Sequence, residues 1–435
     1  MNECVFPRRE DLKSLPAREL FSAHDPVLEQ VSKIVDRVKS EGWSALTSYV
    51  NQFDNTPEGA KLIFGVNDLE KAKASLRKKD RALLNRIAAR IEHFSRAQFN
   101  SLSRLSVPEP GGTAGHRISP VEKAGCYAPG GTYPLPSSIL MTVIPARVAG
   151  VSEIWMATPA PSTLTLAAAC IAGADAVLGA GGAHAIAALA YGAGPVPACD
   201  VVVGPGNKFV TTAKKYVAGD VRIDMVAGPS ELLVLADETA NPVRIAADLI
   251  AQAEHDEDAL PVLITTSASI QEKVELCLAE QLSDLPTAPV ARVSLYNGGS
   301  ILASDVAEMI TLSDELAPEH IQICTFRADD IAARLFHFGA LFIGHASAEV
   351  FGDYGFGPNH TLPTHKYARK TGGLSVFNFT RIQTWLKIDP EGIPEDLVKD
   401  SISIARLERL EGHARAAILR LQDQRASAGQ IARDD

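Results

Sequence analysis

Glu319 and His320 stand side by side in the segment APEH, just ahead of an apolar run that reads as a strand. Adjacent residues at a loop-to-strand junction can reach one cleft. This pair offers a carboxylate able to activate water and an imidazole suited to taking a proton near neutral pH. An exposed polar pair would look the same. Gln252 and His255 lie three residues apart near the end of NPVRIAADLIAQAEHDED, residues 241–258. On one continuous helix that spacing puts an amide oxygen and an imidazole on one face, which is either half of a metal site or a polar helix end. A zinc ion takes about four ligands from His, Cys and carboxylate or amide oxygen. Asp353, at the start of the glycine-rich stretch that His360 closes, and His413, in the C-terminal helical run, can supply the remainder. These positions are far apart along the chain, so spacing leaves a scatter of solvated polar residues equally open.

Three glycine-rich turns carry a second kind of chemistry. They are YAPGG (127–131), GAGGA (179–183) and GPGN (204–207). A strand, a glycine turn and a helix N-terminus form an anion site, because free N–H groups and the helix dipole face the ligand. Three such turns together point to a phosphate-bearing ligand. None fits the G-x-G-x-x-G dinucleotide fingerprint, and tight turning alone also explains the glycines.

The elements that must position these residues alternate. Glu153–Thr158, Asp175–Leu178, Asp200–Gly204 and Leu232–Ala236 read as buried strands, with helices at Ser137–Val148, Thr163–Ala172, Ala183–Tyr191 and Asn207–Val217. Strands alternating with helices mean βαβ units and a parallel sheet. A second set follows residue 258, with strands at Pro261–Thr266, Arg292–Tyr296, Ile321–Thr325 and Ala340–Gly344. The fold class is therefore α/β, with two parallel-sheet domains. Residues 1–110 read as mostly helical, Pro108–Gly115 as a loop, and Pro394–Ala426 as a strongly helical tail.

The chain has 435 residues, 46% of them hydrophobic and 22% charged, enough for two or three domains with real cores. A net charge of −10 argues against binding nucleic acid or an anionic membrane. The N-terminus has no apolar signal segment, and no apolar run approaches a membrane span. Six scattered cysteines without a C-x-x-C pair fit a reducing, cytoplasmic setting.

The motifs GCYAPGG, PSSILM, GPGNKFVTTAK, IDMVAGPSE, LIAQAEH, APEH, FGDY, GPNHTLPT and ERLEGH occur in that order between residues 125 and 413. Together they resemble the histidinol dehydrogenase family, over about residues 25–420. The resemblance implies a zinc-dependent, NAD-linked homodimer that oxidises L-histidinol to L-histidine through a bound aldehyde. It implies two incomplete Rossmann-like domains plus helical N- and C-terminal parts. The expected division is an extension over 1–24, a first α/β domain over 25–122 plus 235–375, a second over 123–234, and a helical tail over 376–435 that contacts the partner subunit. Matched motif by motif, Gln252, His255, Asp353 and His413 are the zinc ligands, the last from the other subunit, and Glu319 and His320 the acid–base pair. Tyr127 and Asn207 match cofactor contacts, while Ser230, His360 and Glu408 join the zinc ligands and His320 around the substrate. An unbroken helix would set Glu408 and His413 roughly 140° apart, with Gly412 placed to loosen that turn.

Three places depart from the family pattern. His184 stands where the family has a cofactor-contacting Gln, Tyr133 where a small residue is usual, and His365, Lys366 and Arg369 add positive charge after HTLPT. The added charge keeps a second reading open, a homologue oxidising another small polar alcohol such as a sulfonated propanediol. From other classes, a zinc hydrolase would use the same metal and Glu–His pair without a nucleotide, and a solute binder would need neither.

Overall fold

The computed structural model describes residues 5–16, 26–54, 56–57, 59–130, 134–389 and 392–420. Its contacts divide the chain into one unit of residues 1–99 and 121–379 and a second of residues 100–120 and 380–435.

The first unit holds two six-stranded sheets. One consists of β1 (Arg8–Arg9), β10 (Glu231–Ala236), β11 (Leu260–Thr265), β12 (Gly299–Leu302), β13 (His320–Cys324) and β14 (Ala340–Ile343), in the order β1-β12-β11-β10-β13-β14. All its pairings are parallel. The other consists of β2 (Ile63–Gly65), β5 (Lys123–Tyr127), β6 (Glu153–Ala157), β7 (Ala176–Leu178), β8 (Val201–Val203) and β9 (Arg222–Ile223), in the order β2-β7-β6-β5-β8-β9. Its pairings are parallel except for the antiparallel edge strand β2. Strands β10, β11 and β13 are buried along their whole length, as the near-continuous apolar runs require of a sheet covered on both faces.

Four expectations are corrected here. Residues 26–100 do not go with the sheet of residues 231–343. Their strand β2 pairs with β7, Ile63 opposite Leu178, and their helices pack Val31, Val35, Leu46 and Val50 against the Ala-rich helix Gly182–Tyr191. The N-terminal stretch is not a mere extension, because β1 pairs with β12, Arg8 opposite Ser300. Arg292–Tyr296 is not a strand but part of the helix Ala288–Asn297, whose buried Ala291 and Leu295 are four residues apart. The strand follows it, as β12.

The fourth correction is the second unit. Its three-stranded antiparallel sheet, ordered β15-β4-β3, contains β3 (Leu105–Glu109), β4 (Gly112–Pro120) and β15 (Thr380–Ile388). Pro108–Gly115 is thus a hairpin turn with its flanking strand residues, and the C-terminal part begins with a strand. A helix over Glu395–Leu407 follows, and residues 411–420 are helical again. Arg409, at a φ of 60°, interrupts the two. No helix among the described residues is long and apolar enough to cross a membrane.

Candidate active site

Strands β10 and β13 lie side by side with Leu232 opposite His320, so their amino ends bring Ser230, Glu231, Glu319 and His320 together. Glu319 Oε2 accepts from Ser230 Oγ at 2.6 Å and from the Glu231 backbone N–H at 3.0 Å. Burial pushes the Glu319 carboxyl well above its ordinary range, and those two hydrogen bonds pull against the shift. His320 Nδ1 is 3.1 Å from the Glu231 carbonyl oxygen. A carbonyl only accepts, so Nδ1 carries the proton and Nε2 keeps the lone pair that a general base needs. Burial pushes the imidazole down to about 4, against the pull of nearby Asp353, so the ring is neutral at neutral pH.

The helix that carries Gln252 is shorter than expected. Asn241 caps it through Oδ1, with Pro242 at its first position, and it ends at Ala253. The following His-Asp-Glu-Asp run turns instead, with Asp256 Oδ1 accepting from the Asp258 N–H at 2.9 Å, a local bond that competes with helix. Gln252 is therefore buried in the last turn and His255 sits beyond the end, yet both reach the same place. Opposite them the short helix Glu349–Asp353 sets two carboxylates four residues apart, on one face. Donor atoms of His255, Glu349 and Asp353 all lie within 4.8 Å of one another. His255 Nε2 is 3.9 Å from Asp353 Oδ2, and two ligands each at the usual 2.0–2.2 Å from one zinc ion are at most ~4.3 Å apart. The donor types, and the spacing of the His255–Asp353 pair, thus fit zinc. His360 Nδ1–H donates to the Asp353 backbone carbonyl at 3.0 Å, which fixes the loop rather than leaving the ring to solvent.

The Gln252 side-chain amide lies between Glu349, whose two carboxyl oxygens are 2.8 and 3.2 Å from it, and Ser230 Oγ, 3.2 Å away. Glu349 is 5% exposed, and one of its oxygens is 3.4 Å from His320 Nδ1. Burial, then the charge of Asp353, pushes its carboxyl well above the usual range. Sequence reasoning missed Glu349; its spacing of four from Asp353 was the available signal. Glu408 and His413 belong to the second unit and are exposed on it. The helix between them breaks at Arg409, not at Gly412.

The second sheet carries the glycine-rich turns. Its connections run outward in one direction from β5 through β6 to β7 and in the other from β8 to β9, so the switch point lies between β5 and β8. A cavity of about 660 Å³ opens beside Tyr127, Gly182, His184 and Asn207. That volume is in the range of small-molecule sites. Asn207 Oδ1 caps the helix Lys208–Val217 by accepting from the Phe209 and Val210 N–H groups. Its NH₂ remains for a ligand. Gly204 has a φ of 123°, and a Cβ there would meet the Tyr127 carbonyl oxygen at 2.0 Å. The buried Lys214 donates to the Gly204 carbonyl at 2.8 Å and pairs with Asp224, which accepts from the Gly204 N–H at 2.8 Å. One ion pair therefore clamps both polar groups of this turn.

The GAGGA turn is not the open anion cradle that its glycines suggest. Asp54 accepts from the Gly181 N–H at 2.9 Å, and Tyr127 Oη from the Gly182 N–H at 3.2 Å. A carboxylate of the chain itself occupies the position. His184 Nε2 lies 3.1 Å from the same Asp54 oxygen, with its ring 6.1 Å from those of Tyr49 and Phe53. Two of the three basic residues added after HTLPT are likewise engaged. Arg369 donates to the Asp314 carbonyl, and His365 Nδ1 lies 2.9 Å from Thr364 Oγ1. Tyr133 lies outside the described residues.

A family model described as histidinol dehydrogenase matches residues 18–421. The chain is 41% identical over 403 residues to the histidinol dehydrogenase of Syntrophotalea carbinolica, covering 91% of this chain and 93% of that protein. It is 40% identical over 413 residues to that of Pseudomonas syringae pv. syringae, covering 93% and 92%. Among solved structures, histidinol dehydrogenase from Elizabethkingia anophelis matches with a TM-score of 0.90 at 31% identity, over 97% of this chain and 99% of that one. With matches of this breadth behind it, and Glu319, His320 and the donor cluster folded into one place, the chain belongs to the histidinol dehydrogenase family of enzymes.

Proposed function

We propose that this enzyme oxidises L-histidinol to L-histidine with NAD, in two successive oxidations through an aldehyde that stays bound, and that it works as a homodimer. The observation that carries the reading is the neutral His320 and buried Glu319 standing beside the His255, Glu349 and Asp353 donors. Gln252, His255 and Asp353, with His413 of the partner subunit, would hold a zinc ion, which supplies a template for the polar end of the substrate. NAD, in the cleft of Tyr127, His184 and Asn207, supplies the hydride acceptor.

The residues of the chain divide the proton work. In the first oxidation His320 Nε2 takes the alcohol proton, while the Glu231 carbonyl holds the ring by Nδ1–H. In the second, Glu319 takes a proton from the water that adds to the aldehyde. Ser230 and the Glu231 N–H fix Glu319 Oε2, so Oε1 meets the water. Ser230 and His360 line the substrate. Exposed Ile382, Leu386, Ile404 and Leu407 on the second unit support a partner surface there. The free thiols of Cys126, Cys199 and Cys324 suit a cytoplasmic setting.

The test is NADH formation from limiting L-histidinol with excess NAD. Two NADH per histidinol, with histidine as the product, is expected. One NADH with free aldehyde, or no NADH, would contradict the reading.

A further inference from the structure

We propose that the Glu231 side chain is a positioning residue of the acid–base pair: its two carboxyl oxygens accept from the Glu319 and His365 backbone N–H groups and so hold the turns from which Glu319 and His320 act. This rests on the roles given to that pair above. The ladder between β10 and β13 begins at Leu232 and His320, so Glu231 and Glu319 stand just before its first pair. Both are buried, at 4% and 6% exposure. A buried backbone N–H needs an acceptor, and the Glu319 N–H donates to Glu231 Oε2 at 3.3 Å. Glu231 Oε1 accepts from the His365 N–H at 3.0 Å. Three residues before Glu231, the Gly228 N–H donates to Thr364 Oγ1 at 2.6 Å, so the 364–366 turn is tied to the 228–231 segment at two points. His365 and Lys366 have φ of 53° and 63°, a region uncommon for residues with a Cβ, and such a turn needs ties of this kind.

The Glu231 backbone grips both members of the pair, Glu319 Oε2 by its N–H and His320 Nδ1 by its carbonyl. A shift of Glu231 therefore displaces the bases of both oxidations at once. That sets its role apart from those of Glu319 and His320, each of which serves one. Leu233 and Leu235 follow Glu231 at the strand period and pack with Leu15 and Ile321. The Glu231 side chain shares their face of the sheet and acts on the pair through the backbone. It does not line the cavity beside Tyr127 and Asn207.

The experiment is rapid mixing of NADH formation from histidinol and from histidinal, together with KM for NAD, on wild type, Glu231→Gln, and Glu231→Gln combined with His320→Gln or with Glu319→Gln. A Gln side chain keeps the size but can accept from only one of the two N–H groups. A misplacement of about 1 Å costs up to about 100-fold in rate, so Glu231→Gln should slow both oxidations by about 10–100-fold. KM for NAD should stay at its wild-type value. In the His320→Gln background, Glu231→Gln should slow the first oxidation no further, and in the Glu319→Gln background it should slow the second no further. Glu231→Asp, one methylene short of both N–H groups, serves the same comparison if Glu231→Gln does not fold. Wild-type rates in the single variant, a loss confined to one oxidation, a KM for NAD that rises as much as the rates fall, or the full loss repeated in both double variants would each overturn the proposal. A wild-type enzyme that forms no NADH from histidinol would instead overturn the proposed function itself.

Discussion

Replacing Glu319 with Gln should separate the two proposed oxidations. Glu319 Oε2 accepts from Ser230 Oγ and the Glu231 N–H, and an amide oxygen in that position accepts both without moving the chain. The NH₂ then takes the place of Oε1 and cannot receive a proton from water. Loss of a positioned general base costs about 10²–10⁴-fold, or about 3–5 kcal/mol of barrier. The whole of that loss should fall on the second oxidation, because the proposed base for the first is His320. Rapid-mixing measurements of NADH from histidinol and from directly supplied histidinal read the two steps separately. Equal losses in both would refute the division of roles. Stability should move the other way. Burial holds the folded carboxyl above its unfolded value of 4.5, so the folded chain binds the extra proton between the two values and stability falls as pH rises through that window. Glu319→Gln should remove that slope and raise Tm at alkaline pH.

His320 carries the opposite slope. Its folded value of about 4 lies below the ordinary 6.5, so stability of about 3 kcal/mol, present above pH 6.5, is lost as pH falls through the window toward 4. His320→Gln should flatten urea titrations over that range and slow the first oxidation by about 100-fold or more; an unchanged slope would count against the buried neutral ring. Lys214→Ala leaves Asp224 buried without its partner, at 3% and 0% side-chain exposure for the pair, and should lower unfolding free energy by about 3–5 kcal/mol. Because the pair clamps Gly204, KM for NAD should rise more than kcat falls, and a stability loss under ~1 kcal/mol would contradict that role.

Much of this was legible in the chain. Alternating strands and Ala-rich helices between residues 123 and 236 gave elements whose bounds the structure reproduces within a few residues. Glu319 and His320 were visible because adjacency needs no tertiary information. Gln252 and His255 were paired on the assumption of one helix, and both stand near Glu349 although the helix stops between them. What was hidden depends on long-range contact. Asp54 reaches the Gly181 turn from 127 positions away, so nothing near GAGGA revealed that its anion position was filled. The half-exposed sheet of β3, β4 and β15 pairs Gly112 with Ile388, and strands without a buried alternating face leave little pattern. Arg292–Tyr296 was misread because a short apolar run suits strand or helix alike.

The most direct measurement is anomalous diffraction at the zinc edge from crystals of the enzyme grown with zinc. One peak bounded by Gln252, His255 and Asp353, within reach of the Glu319–His320 pair, is predicted. A fully active enzyme with no peak there, or with its zinc held elsewhere, would contradict the site.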